Sequence, residues 1–230
     1  MFSKIADYFR KNDENQRTRK SISSLDEFRR GRAEETFTDG IWERRILEAG
    51  LVEIVNGSQH ASNGFLMTAD GYFITAKHCL RDWRQKSIRL ADGNTYRIEK
   101  FCVAAKNADI AMAKAEIPPE ASPMAYRFFL EDNFPERSEI VMHSRIDGAV
   151  RRKYGLISDS GRKIIFNSNL LAREGDSGSV VTTADFRVMG VLTSGSYKGD
   201  LKGIGVKLSS VLDLVNSYRK KMIADLTSPN

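Results

Sequence analysis

The sequence predicts an all-β protein built from two barrels, with a helical N-terminal extension and a C-terminal helix. After residue 50, short segments rich in Val, Ile, Phe and Thr recur at regular spacing between turn residues, which is typical of sandwiches and barrels. Residues 116–137 contain four of the five prolines, and we interpret them as the connection between two β units. Helical spacing of apolar residues occurs near the two ends of the chain.

The first 50 residues are dense in charge and predict three helices. Apolar residues from Phe2 to Phe9 have the spacing of an amphipathic helix. Ser24 to Glu27 fits a capping box that starts a helix reaching about Glu35, and Thr38 can cap a third helix, Ile41 to Ala49, which Gly50 ends. This extension could pack on the barrels, bind a regulatory protein partner or a second subunit, or contact an anionic membrane.

The remaining residues, 51–230, are predicted to form one domain of two barrels and a helix. Barrel one spans about 51–115, barrel two about 138–208 and the C-terminal helix about 210–225. The predicted strands of barrel one are Leu51–Val55, Gly64–Thr68, Tyr72–Ala76, Ser87–Leu90, Thr95–Val103 and Asp109–Ala113. Those of barrel two are Glu139–His143, Val150–Ile157, Lys163–Asn167, Ser179–Thr183, Val188–Thr193 and Ile204–Leu208.

Composition excludes several classes of function. The net charge of +6 is a mild excess with acids mixed among the bases, so no nucleic-acid partner is expected. Cys79 and Cys102 are too few for a disulfide framework, and the N-terminus has no unbroken apolar signal region, which predicts a cytoplasmic protein. Three histidines without paired Cys/His spacing predict no metal site, and no cofactor is expected.

Two segments offer the parts of an acid–base pair. Thr75-Ala76-Lys77-His78-Cys79 places a histidine just past the end of a predicted strand, a position from which a general base can be held near a nucleophile. Asp109 lies between apolar residues, where a buried carboxylate needs a partner such as an imidazole N–H. The alternatives are a histidine in a turn and an aspartate that caps the backbone.

A third segment offers a nucleophile. In Gly175-Asp176-Ser177-Gly178-Ser179 the glycines permit a tight turn, and the amides of Gly175 and Ser177 can point together at an oxyanion. The chain contains a second Asp-Ser-Gly segment, Asp159-Ser160-Gly161, for comparison. It lacks the leading glycine and the apolar strand that follows, and we interpret it as a hairpin turn. Asp-Ser-Gly is therefore informative only in its full setting.

Together, these three segments resemble the motifs of the chymotrypsin-like (trypsin-fold) serine peptidases, in the family's order of histidine, aspartate and serine. Ser62-Asn63-Gly64-Phe65 and Asp70-Gly71-Tyr72 are also similar to the bacterial HtrA-like branch. The resemblance covers about residues 51–208. It implies a serine endopeptidase whose triad is His78, Asp109 and Ser177, whose oxyanion hole is formed by Gly175 and Ser177, and which cleaves a protein or peptide substrate without a cofactor.

The resemblance also makes finer predictions. It places Leu171 and Ala172 at the base of the substrate pocket and Thr193, Ser194 and Gly195 on the substrate-binding strand, which predicts cleavage after small or medium apolar residues. It implies that Asp176 needs a cationic partner in an unprocessed chain, such as Arg151, Arg152 or Arg173. An intracellular peptidase is expected to be restrained by a partner or ligand. The alternative is a catalytically silent binding module of the same fold.

Overall fold

A computed structural model describes residues 16, 19–20, 41–121, 135–159, 165–170, 172–195 and 203–227. Helix α1, Ile41–Gly50, leads without a break into the first strand. The strands of the first barrel are β1 (Leu51–Asn56), β2 (Gln59–Leu66), β3 (Tyr72–Thr75), β4 (Lys86–Arg89), β5 (Thr95–Ala104) and β6 (Ala111–Ala115). Those of the second are β7 (Glu139–Ile146), β8 (Ala149–Asp159), β9 (Ile165–Ser168), β10 (Val180–Thr183), β11 (Val188–Gly195) and β12 (Gly203–Lys207). Helix α2, Leu208–Thr227, follows.

Both sets of strands close into antiparallel six-stranded barrels. The first has the order β1-β2-β3-β6-β5-β4 and the second the order β10-β11-β12-β9-β8-β7. Closure pairs every strand on both sides, so these short strands leave no open sheet edge. The predicted fold class, an all-β protein of two barrels with a C-terminal helix, is therefore confirmed.

In the part of the chain that the structure describes, the hydrophobic core consists of three clusters, one of which joins the barrels. This joint cluster contains Leu47 of α1, Tyr72 of barrel one, Val191 of barrel two and Tyr218 of α2, all of them buried. The two other clusters fill the interiors of barrel one and barrel two. The barrels thus share buried apolar surface with both helices, which stabilises the cleft between them.

Arg145, at 5% exposure, ties α1 and β1 to barrel two. Its guanidinium donates to the carbonyls of Glu48, Leu51 and Gly148 at 2.7, 3.3 and 2.7 Å. Two of these bonds supply donors to the carbonyls of Glu48 and Leu51 at the α1–β1 junction, and the third binds the turn between β7 and β8. The junction at residues 50 and 51 is consequently part of the core.

Some predicted bounds were wrong. Strand β2 begins at Gln59 rather than Gly64, because its polar first half pairs with β1 through backbone hydrogen bonds that need no apolar side chains. Asp109 precedes β6 rather than starting it, and α2 begins at Leu208 rather than about residue 210. The predicted helices near Phe2–Phe9 and Ser24–Glu35 lie outside the described residues. Within the described residues, the helices are too short or too polar to cross a membrane.

Candidate active site

A cavity of about 650 Å³ lies in the cleft between the barrels and contains the predicted triad. Barrel one contributes His78 and Asp109, and barrel two contributes Gly175 and Ser177. The structure therefore brings together residues that are up to 99 positions apart in the sequence (177 − 78). None of the described parts of the chain holds three His, Cys, Asp or Glu residues arranged as a metal site.

Neighbouring strands position the histidine and the aspartate. His78 lies in a short 3₁₀ turn, Lys77–Leu80, which begins two residues after the fully buried β3 ends. Asp109 precedes β6, which pairs with β3 so that Thr75 faces Ala111. Because both side chains emerge beside one pair of core strands, their separation is set by the sheet.

The two side chains are hydrogen-bonded twice. Nδ1 of His78 donates to Oδ2 of Asp109 at 2.6 Å, and the backbone N–H of His78 donates to Oδ1 at 3.0 Å. Their side chains are 42% and 39% exposed, so the expectation of a buried aspartate is wrong: the cavity opens to solvent on this side. Asp109 fixes the orientation of the ring and leaves Nε2 available for chemistry.

This contact changes the acidity of both groups. The hydrogen bond that His78 donates to Asp109, with a smaller contribution from Cys79, raises the pKa of His78 to about 10, against the opposing effect of burial. Burial acts to raise the pKa of Asp109, but the hydrogen bonds from His78 outweigh it and lower this pKa below its ordinary value. The contact therefore favours the protonated form of His78 and the ionised form of Asp109.

The other ring nitrogen of His78 faces a sulfur. Nε2 lies 3.6 Å from Sγ of the buried Cys79. Among the described residues, His78 is hydrogen-bonded to Asp109 and not to Ser177. Catalytic hydrogen bonds are often long or misaligned in a free enzyme. Nε2 must come within hydrogen-bond reach of Oγ of Ser177 before it can accept the serine proton.

The serine lies in a tight turn that only glycines on each side permit. Gly175 and Gly178 have φ values of +87° and +83°, in the region that favours glycine. A Cβ on Gly178 would also overlap the carbonyl oxygen of Asn63. The turn is therefore packed directly against β2, where the N–H of Asn63 donates to the carbonyl of Ser177 at 2.8 Å.

Two backbone N–H groups of this turn are available to a ligand. The N–H of Asp176 donates to Arg173 and that of Gly178 to Leu192. Across the described residues, the N–H groups of Gly175 and Ser177 have no acceptor. The predicted oxyanion hole requires two such N–H groups near the half-buried Ser177.

Asp176 is paired within the folded domain. Its carboxylate, 2% exposed, contacts Nζ of Lys153 on β8 and accepts the backbone N–H of Arg173 at 2.6 Å. The prediction of an arginine side chain as the partner was wrong. Successive side chains of a strand point to opposite faces, so Lys153 contacts Asp176 while its neighbour Arg152 is paired with Glu48.

Three of the five predicted pocket residues line the cavity. Ala172, Thr193 and Ser194 line it together with the buried Leu192, while Gly195 is the last residue of β11 and pairs with Gly203 of β12. Leu171 lies outside the described residues. The cavity wall contributed by Ala172 and Leu192 is apolar.

Three residues of barrel one that were not among the predicted site residues lie behind the turn. Glu53 is fully buried and contacts Nδ1 of His60, and both His60 and Asn63 reach the carbonyl of Gly175. A signal was present in the sequence, because Glu53 is the only charge in the apolar segment Leu51–Val55 and a buried carboxylate needs a partner. The third histidine, His143, is buried on β7 against Thr182, away from the cavity.

The fold and the site define a class of protein: two antiparallel barrels with a histidine, an aspartate and a serine in the cleft between them. Residues 62–191, more than half of the chain, match the family model of the trypsin-like peptidase domain. The chain therefore belongs to the trypsin-like peptidase family.

Solved structures share this fold. The serine endoprotease from Yersinia pestis has 16% sequence identity to the chain and a TM-score of 0.65, over 81% of this chain and 68% of that one. The HtrA-type protease AlgW with a decapeptide has 13% identity and a TM-score of 0.66, over 80% and 68%. No curated protein matches the chain. At these identities the similarity concerns the fold, and the predicted HtrA-like character is confirmed at that level.

Proposed function

We propose that the chain is a serine endopeptidase that hydrolyses peptide bonds through His78, Asp109 and Ser177. The observation that carries this proposal is the shared cavity, in which His78 held by Asp109, Ser177 and the unpaired N–H groups of Gly175 and Ser177 all occur. Membership of the trypsin-like peptidase family supports the same activity.

The proposed reaction has two halves. Oγ of Ser177 attacks the substrate carbonyl while Nε2 of His78, in its neutral form, takes the serine proton, and the N–H groups of Gly175 and Ser177 bind the oxyanion. The imidazolium then gives that proton to the leaving amine as the C–N bond breaks. Water, deprotonated by His78, hydrolyses the acyl-enzyme and restores the serine.

A fluorophosphonate probe tests this proposal, because only an activated serine reacts with it. We expect the wild type to be labelled and Ser177→Ala to be unlabelled. Ser160→Ala is the matched control, since Ser160 belongs to the second Asp-Ser-Gly segment and its loss leaves labelling unchanged. Absence of labelling in folded wild type would instead favour the silent binding module, for which the contact of Nε2 with Cys79 is the supporting observation.

We propose that the substrate is a protein or peptide cleaved after a small or medium apolar residue. The side chains of Ala172 and Leu192, which line the cavity, support this preference because neither of them can pair with a charged side chain. A peptide library digested by wild type and by Ser177→Ala measures it. Preferred cleavage after Lys or Arg would contradict this specificity.

We also propose that a partner restrains the activity through residues 1–50. The support is indirect: Leu47 of α1 lies in the cluster that joins the barrels, so a ligand of this extension could act on the cleft. The rate of fluorophosphonate labelling, compared between the full chain and a chain that starts at residue 41, measures such restraint. Equal labelling rates for the two chains, both with and without candidate partners, would contradict restraint through residues 1–50.

A cytoplasmic location is part of the proposal. The support is that Cys79 and Cys102 are both free thiols, as is usual in a reducing compartment. Fractionation of the source cells, with the protein followed by antibody, tests this. Recovery from a membrane or secreted fraction would overturn it.

A further inference from the structure

The carbonyl oxygen of Gly175 is held by two side chains of β2. Nε2 of His60 donates to it at 3.0 Å and Nδ2 of Asn63 at 2.7 Å. A Cβ on Gly175 would lie 2.9 Å from Nε2 of His60, so the ring packs directly against this residue. The nucleophile turn of barrel two is thus held from barrel one by two side chains that are not among those lining the cavity.

This carbonyl controls the direction of the oxyanion donors. A peptide unit is planar, so fixing the Gly175 carbonyl fixes the plane of the unit that links Gly175 to Asp176. That unit lies between the N–H of Gly175 and the N–H of Ser177. If it rotated, the two N–H groups would no longer point at one position, and both must do so to stabilise the oxyanion.

His60 is itself held in place. Its Nδ1 lies 3.1 Å from Oε1 of Glu53, so both ring nitrogens face oxygen acceptors. Glu53 is fully buried and accepts the N–H groups of Asp147 and Gly148 at 2.9 and 3.2 Å. Burial acts to raise the pKa of Glu53, but these N–H groups, Arg89 and His60 together lower it, so the carboxylate is ionised at neutral pH.

We propose that His60 is a positioning residue of the active site: anchored by Glu53, its Nε2–H holds the Gly175 carbonyl so that the N–H groups of Gly175 and Ser177 converge on the oxyanion. This inference rests on the proposed peptidase function. Its chemistry is that of a second acid–histidine pair which acts on the backbone of the turn rather than on the substrate.

Two substitutions of nearly equal polarity separate positioning from general stability. The amide nitrogen of His60→Gln reaches the place of Nε2, whereas His60→Asn is one methylene shorter and does not. We expect His60→Asn to lower kcat about 10- to 100-fold, less than or equal to the loss of a direct oxyanion donor, with KM nearly unchanged. His60→Gln should keep kcat within about threefold, because its donor is retained.

A boronic acid inhibitor gives a second readout, because its tetrahedral adduct with a serine resembles the transition state. Its affinity should fall in parallel with kcat/KM in His60→Asn, while the affinity for a product peptide stays constant. Gln59→Asn is the matched control: it shortens an exposed side chain by the same methylene on the same strand and leaves all values unchanged.

The outcomes distinguish the two proposals. If wild type does not react with the fluorophosphonate probe, the peptidase function fails. If wild type reacts and His60→Asn retains its kcat and boronic acid affinity, the positioning role is overturned and the peptidase function stands. If thermal unfolding shows that His60→Asn does not fold, His60→Leu carries the test, since it fills the same space without a donor, and unchanged kcat in that variant overturns the proposal equally.

Discussion

Replacing Asp109 with asparagine is expected to lower kcat about 10⁴-fold, the size of effect found when a triad carboxylate is lost while its geometry is kept. Oδ2 of Asp109 accepts the Nδ1 proton of His78 at 2.6 Å and thereby leaves Nε2 as the basic nitrogen. An asparagine can donate to Nδ1 instead, which favours the wrong tautomer. The imidazolium formed during the reaction also loses its counter-charge.

The same substitution should move the pH profile. The general base must be neutral, so the acid limb of kcat/KM follows the pKa of His78, which Asp109 and Cys79 raise to about 10. In the wild type this limb should lie well above the ordinary histidine value of about 6.5, and activity should rise with pH through the neutral range. In Asp109→Asn the main cause of the raised pKa is gone, so the limb should move to lower pH.

The measurement is kcat and kcat/KM against pH for wild type, Asp109→Asn and the control Asp82→Asn. Asp82 is exposed, lies four residues from His78 and has φ of +53°, which asparagine tolerates well. The control should retain both the rate and the profile. A loss of less than tenfold in Asp109→Asn, or an acid limb that does not move, would show that Asp109 does not act through His78.

The fold was predictable because most strand segments are either alternately or continuously apolar, and turn residues separate them. Tyr72–Thr75 is fully buried and was read directly from its Tyr, Phe, Ile and Thr. The first half of β2 could not be predicted as a strand, because Gln59 to Asn63 is mostly polar. Its pairing depends on β1 and on contacts with barrel two. Sequence patterns report which side chains avoid water, and they do not report which polar groups a partner strand satisfies.

The same distinction applies to the site. His78, Asp109 and Ser177 lie in local motifs, so their residue types and flanks predict them. Lys153 contacts a residue 23 positions away within barrel two, and His60 contacts one 115 positions away in the other barrel. Nothing local to either residue marks these contacts. In the pairs Glu53–His60 and Asp176–Lys153, the carboxylate is the residue that predicts a contact. Both carboxylates lie in segments that become buried, so each requires a cation or several hydrogen-bond donors.

Lys153 leads to the second large expected effect: Lys153→Met should lower kcat/KM about 100-fold or more. Asp176 is 2% exposed, and its carboxylate contacts Nζ of Lys153. Removing one partner of a buried ion pair costs about 3–5 kcal/mol. The turn from Arg173 to Gly178 can avoid this cost by rearranging, and a rearranged turn no longer presents the oxyanion donors. Each 1.4 kcal/mol changes the ratio of rearranged to native molecules about tenfold.

Three further variants define the cause. Lys153→Arg keeps the charge and should retain most activity, while Arg151→Met removes an exposed cation from the same strand and should have no effect. The double variant Lys153→Met with Asp176→Asn leaves no unpaired buried charge, so it should recover part of the activity and of the thermal stability lost in Lys153→Met. Activity of Lys153→Met equal to wild type would show that Asp176 does not need this lysine.

The pairing of Asp176 with Lys153 also predicts that the chain needs no proteolytic activation. A new amino terminus near residue 51 would be needed only if Asp176 lacked a cation, and Leu51 is buried with its carbonyl bound by Arg145. Cutting there would break the junction of α1 with barrel one. Active protein labelled at Ser177 should therefore retain an intact bond between Gly50 and Leu51 by mass spectrometry, and a labelled fraction cleaved at that bond, with the uncleaved chain unlabelled, would contradict this reading of Lys153.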